Sequence, residues 1–317
     1  MLESAFQPMI GQPQAVELLV SAVQRDRIAP GYLFVGPSGV GRQLAASCFA
    51  SVLLATHTTT HERLLSRVRD RNHPDLLWIE PTYLHQGKRL SAREAAEAGV
   101  KRKAPPQIRL EQIREIAQFL SRPPLQASRS VVVIEDAETM AEAAANGLLK
   151  TLEEPGQATL ILIAPSLESI LPTLVSRCQR IPFQRLSQTD MAAVLQRENY
   201  LDVLAHADVL ALAQGSPGGA IAHWQQLQAI APDFLDALNQ PPRSLRQALA
   251  LAGQIHKTLD TEAQLWLVDY LQHRYWQLHR QPSLLRPLEI VRRQLRAYVQ
   301  PRLAWEVAFM EIVGSNL

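Results

Sequence analysis

An apolar run that leads directly into a glycine-rich loop constrains the fold of this chain more than any other feature. Residues 32–35 read Tyr-Leu-Phe-Val, and residues 36–43 read Gly-Pro-Ser-Gly-Val-Gly-Arg-Gln. A short apolar run bounded by glycine is typical of a strand buried on both faces of a parallel sheet. The glycine spacing is that of a phosphate-binding loop, which joins such a strand to a helix. The pattern therefore predicts an α/β domain with a P-loop.

Three further apolar runs support a parallel sheet in the first half of the chain. They are residues 76–79, 131–134 and 160–163, and together with residues 32–35 we predict them all to be central strands. Apolar residues at three- and four-residue spacing predict the intervening helices, at residues 15–25, 42–54, 110–120 and 141–152. After about Pro182 the strand pattern ends and long Leu- and Ala-rich helices follow. The predicted fold class is α/β followed by all-α.

Length and composition limit the possible classes of protein. A chain of 317 residues is long enough for two or three domains. Its 32 Lys and Arg against 30 Asp and Glu give a formal net charge of +2, which by itself predicts neither nucleic-acid nor membrane binding. The two cysteines, Cys48 and Cys178, are too few for a disulfide framework, and no run approaches the ~20 apolar residues of a membrane span. We expect a cytoplasmic protein.

The P-loop keeps its glycines but lacks the groups that bind a nucleotide. Gly36, Gly39 and Gly41 preserve the frame. Arg42 stands where a lysine neutralises phosphate charge, and Gln43 stands where a hydroxyl ligates Mg²⁺. A guanidinium is bulkier than a compact ammonium, and an amide is a poor substitute for a hydroxyl. We predict that the loop serves as a strand-to-helix connection and is not a working nucleotide site.

The acidic residues of the Walker B position are also changed. The predicted strand at residues 131–134 ends in Glu135-Asp136. In P-loop ATPases of this design the order is Asp then Glu, the first organising Mg²⁺ and the second activating water. Because the order is reversed, neither carboxylate has the side-chain length that its task requires. Hydrolysis by this chain alone is not expected.

Residues 85–106 form a polar and basic stretch without a strand pattern. We predict an insertion that is partly helical or disordered. The charge run at residues 101–103, Lys-Arg-Lys, is either a solvated loop or a DNA contact, and a solvated loop is favoured.

Several motifs occur in the order found in bacterial clamp-loader subunits of the AAA+ class. They are Ile10-Gly11-Gln12, the degenerate P-loop, His73-Pro74-Asp75, Ile113-Arg114, residues 144–155 (AANGLLKTLEEP) and Ser176-Arg177-Cys178. The chain resembles this class over nearly its whole length, and the missing lysine makes it most similar to the delta-prime family of the DNA polymerase III clamp loader. The resemblance implies an AAA+ domain at residues 1–184, a small helical lid at 185–228 and a C-terminal helical collar for oligomerisation at 229–317.

The resemblance also implies roles for single residues and partners. Ser176, Arg177 and Cys178 match the family motif whose arginine reaches the ATP of a neighbouring subunit, so Arg177 is the expected arginine finger. Cys178 is expected to be a small buried residue and not a nucleophile. The implied subunit has no activity of its own and requires no cofactor, because the ATP belongs to its neighbour. The implied partners are delta and the ATPase subunits, with the sliding clamp and primer–template DNA contacted through the complex.

Two departures from the family pattern bear on metals and nucleotides. Many relatives carry four cysteines of a zinc module before the His-Pro-Asp motif, whereas residues 55–63 contain no cysteine. Cys48, His57 and His61 supply three ligands without an evident fourth, so no metal is expected. Gly218 and Gly219 occupy the segment where hydrolysing relatives place a second sensor arginine.

Two other functions stay open on the sequence alone. The first is an autonomous P-loop ATPase acting on DNA, in which Arg42 replaces the lysine. The second is a DNA-binding adaptor that acts through residues 88–103. Tight nucleotide binding in the presence of Mg²⁺ indicates the first, and salt-dependent duplex binding that is lost on deletion of the insertion indicates the second.

Overall fold

The chain divides into two compact units, Met1–Ala193 and Val194–Leu317. This computed structural model describes residues 2–56, 61–98, 105–297 and 299–315. The first unit is α/β and the second is all-helical, which confirms the predicted fold class. The finer predicted division at residues 184 and 228 stays a prediction.

The first unit alternates strands and helices. Its strands are β1 (Gly31–Val35), β2 (Leu76–Ile79), β3 (Tyr83–His85), β4 (Lys88–Leu90), β5 (Ser130–Ile134), β6 (Ala158–Ala164) and β7 (Gln179–Pro182). Its helices are α1 (Leu2–Ala5), α2 (Pro13–Gln24), α3 (Arg42–Leu53), α4 (His61–Arg69), α5 (Ala92–Glu97), α6 (Leu110–Leu120), α7 (Glu142–Glu153) and α8 (Pro172–Val175). The division between the two units falls within α9 (Gln188–Arg197).

Five of these strands form one parallel sheet in the order β2-β5-β6-β1-β7. Every residue of β5 and β6 is buried, as expected for strands covered on both faces. Because all five strands run in the same direction, their amino ends lie along one edge of the sheet and their carboxyl ends along the opposite one. We call these the amino edge and the carboxyl edge.

One of the four predicted central strands lies at a border of the sheet. β2 pairs only with β5 among the described strands, and the middle of β2 is half-buried, so its prediction as a central strand is wrong. The strand on the other border is β7, which the apolar-run criterion does not detect. Its first two residues, Gln179 and Arg180, are polar and exposed, because a border strand needs less apolar surface than a central one.

The prediction that residues 85–106 contain no strand is also wrong. β3 and β4 pair as an antiparallel hairpin. Gln86 and Gly87, which join them, have φ angles of 49° and 77°. Two consecutive positive φ angles are what a two-residue hairpin turn requires, and glycine supplies one of them without steric cost. α5 provides the predicted helical part, and residues 101–103 lie outside the described residues.

The second unit is built from seven helices after α9 in its described part. They are α10 (Ala207–Ala213), α11 (Pro217–Gln228), α12 (Pro232–Leu238), α13 (Leu245–Thr258), α14 (Thr261–His279), α15 (Pro282–Arg296) and α16 (Pro301–Ser315). Asp260 caps α14 by accepting a hydrogen bond from the Ala263 N–H at 2.8 Å. Trp305, Tyr275 and Phe309 are fully buried and anchor its core. No described helix is long and apolar enough to cross a membrane.

Candidate functional site

Arg177 lies just before β7, at the amino edge of the sheet, and its guanidinium is bound by one residue of α7 and one of α8. Arg177 Nη2 donates to Oε1 of Glu153, the last residue of α7, at 2.7 Å. Arg177 Nη1 donates to the Thr173 carbonyl oxygen in α8 at 3.0 Å. The side chains of Arg177 and Glu153 are 38% and 53% exposed. An exposed pair of this kind contributes about 0–1 kcal/mol, so the guanidinium exchanges partners at little cost.

The P-loop lies at the opposite edge of the sheet from Arg177. A Cβ built on Gly31, the first residue of β1, would stand 3.5 Å from the Arg177 carbonyl oxygen. The P-loop begins at Gly36, five residues further along the same strand. At about 3.3 Å per residue this separation is about 16 Å. Arg177 also turns toward Glu153 and Thr173, so it does not approach the loop of its own chain.

The other two residues of the Ser-Arg-Cys motif support the backbone at the same place. Ser176 Oγ donates to the Thr173 carbonyl oxygen at 3.0 Å. Cys178 is half-buried, and burial raises the pKa of its thiol to about 12. The thiol therefore stays protonated at neutral pH. A cysteine acts as a nucleophile only in its deprotonated thiolate form.

The P-loop frame is held by contacts that leave no room for side chains at its first glycine. A Cβ on Gly36 would stand 2.3 Å from the Phe183 carbonyl oxygen. Gly41, at the start of α3, has a φ angle of 102°, in the region that favours glycine. Buried Gln12 joins the frame to the end of β7, because its amide donates to the carbonyl oxygens of Gln184 at 2.7 Å and Val40 at 3.3 Å.

Arg42, at the lysine position, has a buried side chain. Its Nη1 has no hydrogen-bond partner. Burial lowers the pKa of Arg42, and the negative charges of Asp136 and Glu138 act in the opposite direction. Gln43, at the hydroxyl position, is exposed. The guanidinium at this position is therefore withdrawn from solvent, whereas a P-loop lysine presents its charge to phosphate.

The carboxylate at the metal position of Walker B is bound by neighbouring side chains. Trp78 Nε1 donates to Glu135 Oε1 at 2.5 Å, and Arg71 Nη2 lies 3.2 Å from the same oxygen. Burial raises the pKa of Glu135, against the opposing effects of these two donors. Asp136, the next residue, has a φ angle of 44°, so the backbone turns sharply between the two carboxylates. These residues, together with Arg42 and Gln43, do not fit a magnesium-bound nucleotide.

Asp75 of the His-Pro-Asp motif organises a loop at the amino edge. Its carboxylate accepts the backbone N–H groups of Leu125, Gln126 and Ala127 at 2.6, 2.8 and 2.7 Å. Burial by itself raises the pKa of Asp75, but the three donors outweigh it and lower the pKa below its usual value. His73 Nδ1 accepts the Asp75 backbone N–H at 3.1 Å, which fixes the start of the motif.

Replacing Asp75 by alanine should destabilise the first unit by about 3 kcal/mol, because three backbone N–H groups lose a charged and buried acceptor. In the wild type this contribution is complete above the unfolded-chain pKa of about 3.9 and is lost as the pH falls through the lower folded-state pKa. Urea unfolding at pH 7 and at pH 3 measures both effects. The matched control is Asp70→Ala, which removes an exposed aspartate and should cost less than about 1 kcal/mol. Equal losses for the two variants would contradict the assignment.

The remaining predicted site residues lie apart from this region or outside the description. Cys48 is fully buried in α3, His57 lies outside the described residues, and the side chain of His61 is not described. No group of three or more possible metal ligands occurs among the described residues. Gly218 and Gly219 lie in the first turn of α11, and the Gly219 N–H donates to Ser216 Oγ at 2.9 Å.

Sequence reasoning missed the partners of the site residues. Glu153 lies within the motif at residues 144–155, but its ion pair with Arg177 was not predicted. The contacts of Trp78 and Arg71 with Glu135 were also missed. Only the contact of Glu153 could have been inferred from the sequence. Glu153 and the Ser-Arg-Cys motif each precede a strand of one parallel sheet, so both lie at the same edge of that sheet.

Two family models together match most of the chain. The model described as "DNA polymerase III, delta subunit" matches residues 11–187, which is more than half of the chain. The model described as "Cyanobacterial DNA polymerase III delta prime, C-terminal domain" matches residues 189–312. The chain belongs to the DNA polymerase III delta-prime family. The degenerate P-loop and the Arg177 motif therefore belong to a delta-prime sequence.

Individual relatives agree with this family. The chain is 31% identical to DNA polymerase III subunit delta' of Bacillus subtilis over 180 residues, which are 55% of this chain and 48% of that protein. It is 32% identical to subunit delta' of Pseudomonas aeruginosa over 203 residues, which are 61% of this chain and 55% of that protein. The matched regions thus span about half the length of these relatives.

A solved structure shows the same fold. The gamma subunit-related protein of DNA polymerase III from Thermotoga maritima aligns with a TM-score of 0.52 at 17% identity. The alignment covers 95% of this chain and 99% of that one. At this identity the similarity concerns the fold alone, a parallel sheet followed by helices.

Proposed function

We propose that this chain is a non-hydrolysing delta-prime subunit of a DNA polymerase III clamp loader. In this role it supplies Arg177 to the ATP of a neighbouring subunit while the sliding clamp is loaded onto primed DNA. The observation that carries the proposal is the position of Arg177 at the amino edge, about 16 Å along β1 from the loop of its own chain. An arginine at this position contacts a nucleotide only if that nucleotide is bound to a neighbouring subunit.

The chemistry of the proposed step is electrostatic. As the bond to the γ-phosphoryl group breaks, negative charge develops on its oxygens, and a guanidinium in contact with them stabilises that charge. Arg177 is suited to this because its present partners are weak ones: an exposed carboxylate on Glu153 and the Thr173 carbonyl. On docking, the guanidinium exchanges Glu153 for phosphate oxygens.

The loop of this chain supports the non-hydrolysing part of the proposal. Arg42 is buried, and this burial lowers its pKa, while Glu135 is bound to Trp78 and Arg71. We infer that this chain requires no nucleotide of its own and acts as a rigid member of the ring.

The proposed partners follow from family membership. They are delta and the ATPase subunits of the clamp loader, with contact to the clamp and to primer–template DNA made through the complex. Residues 229–317, within the helical unit Val194–Leu317, supply the collar for assembly, and the site of action is the cytoplasm. Net charge of +2 is consistent with DNA contacts that are shared among subunits.

Nucleotide titration of the isolated chain tests the proposal against an autonomous ATPase. With Mg²⁺ and a fluorescent ATP analogue, the isolated chain should show neither micromolar binding nor turnover. Adding the chain to the ATPase subunits with delta, clamp and primed DNA should raise ATP turnover. Micromolar affinity together with hydrolysis by the isolated chain would contradict the proposal, as would a reconstituted complex whose turnover is indifferent to this chain.

A further inference from the structure

The loop between α6 and β5 presents one leucine to solvent at the amino edge. Leu125 is 78% exposed, the largest exposed fraction among the exposed large hydrophobic side chains of the described residues. We propose that Leu125 is an apolar anchor that inserts into the nucleotide-binding domain of the same neighbouring subunit whose ATP receives Arg177. This inference rests on the proposed function and adds an interaction surface to it.

The loop that carries Leu125 is rigid. Its backbone N–H groups at residues 125–127 are bound by buried Asp75. The Gln126 side chain accepts a hydrogen bond from Arg67 Nη1 at 3.2 Å. Pro123 and Pro124 restrict the backbone immediately before Leu125. A loop fixed in this way loses little conformational entropy on binding, which favours its use in recognition.

Leu125 and Arg177 lie on the same edge of the sheet. The Leu125 loop enters β5 and the Arg177 segment enters β7, and all strands are parallel. Asp75, which binds the Leu125 N–H, directly precedes β2, and four strand spacings separate β2 from β7, which is about 19 Å. A standard interface of about 800 Å² per partner is about 30 Å across, so a surface that engages Arg177 also covers Leu125.

The surroundings of Leu125 indicate the chemistry of the partner surface. Arg122 in the same loop is exposed and has no ion-pair partner among the described residues. The complementary surface is therefore an apolar recess with acidic side chains at its rim. In such an interface the leucine is buried at the centre and polar contacts surround it. Truncating a side chain at this kind of position weakens binding most.

The test measures how fast the chain leaves a reconstituted complex. Labelled full-length chain is assembled with delta and the ATPase subunits in the presence of ATP, and its dissociation is followed after addition of excess unlabelled chain. Leu125→Asp should dissociate at least tenfold faster than wild type, and Leu125→Ala about threefold faster. The matched control is Leu84→Asp, on β3, because Leu84 is 58% exposed but follows the carboxyl end of β2. This control should dissociate within twofold of wild type.

Two further measurements separate the possible failures. Thermal unfolding of Leu125→Asp should match wild type, since the side chain is exposed. Arg177→Ala should assemble as wild type but lose stimulated turnover. If Leu125→Asp dissociates at the wild-type rate, or no faster than Leu84→Asp, the anchor is disproved while the proposed function stands. If the wild-type chain fails to join the complex, the proposed function itself fails.

Discussion

Replacing Gly36 by alanine is expected to lower the melting temperature of the first unit by about 10 °C. The new methyl group would stand 2.3 Å from the Phe183 carbonyl oxygen and 2.8 Å from the Phe183 Cβ. The first of these is a backbone atom, so a side-chain rotation does not relieve the overlap. Separating the two segments costs about 3–4 kcal/mol, which corresponds to about 10 °C in a unit of this size.

The backbone contacts around Gly36 explain why relief is costly. The Gly36 N–H donates to the Ala164 carbonyl oxygen at 3.3 Å, and the Phe183 N–H donates to the Val35 carbonyl oxygen at 2.7 Å. Moving the loop away from Phe183 would weaken both hydrogen bonds at the carboxyl edge. The overlap therefore disturbs three adjacent strands at once.

Differential scanning calorimetry of the full chain measures this effect, and Gly156→Ala is the matched control. Gly156 also has a positive φ angle, 59°, but a Cβ there would meet nothing within 4 Å. The control should cost about 1 kcal/mol, the strain of a left-handed conformation alone. A Gly36→Ala melting temperature equal to that of Gly156→Ala would contradict the close approach.

The three strands that the sequence correctly predicts as central are those whose burial is nearly uniform. β1, β5 and β6 are continuous apolar runs because both faces of the sheet are covered. β7 escaped prediction because Gln179 and Arg180 are polar, and β2 was placed centrally because its composition is that of a buried strand. The hairpin of β3 and β4 depends on the Gln86-Gly87 turn, a weaker signal than Asn-Gly.

Only those site residues that lie within sequence motifs could be predicted. Arg177 was found through its motif, whereas its ion pair joins residues 24 positions apart. The bond between Trp78 and Glu135 spans 57 positions, and the one between Asp75 and Leu125 spans 50. Such contacts depend on the order of the strands in the sheet. The spacing of residues along a single sequence does not give that order.

Arg177→Ala is expected to reduce the stimulated ATP turnover of the reconstituted complex by about 10³-fold. Removing an arginine that acts in trans takes away the cation that stabilises the developing charge, and related phosphoryl transfers lose about 10³ to 10⁵ in rate. Arg177→Lys should recover only part of the rate, because an ammonium lacks the planar fork of donors. Folding and assembly should be preserved, since the side chain forms only exposed contacts.

The matched control is Arg89→Ala, because Arg89 is also a half-exposed arginine, paired with Glu115 on α6. It carries the same change of charge and lies on β4, in the hairpin that follows the carboxyl end of β2.

The most direct measurement is therefore the clamp- and DNA-stimulated turnover of complexes containing wild-type, Arg177→Ala or Arg89→Ala chain, each confirmed to be fully assembled. A loss of about 10³-fold for Arg177→Ala with wild-type turnover for Arg89→Ala is the predicted result. Wild-type turnover by the assembled Arg177→Ala complex would contradict an arginine acting in trans.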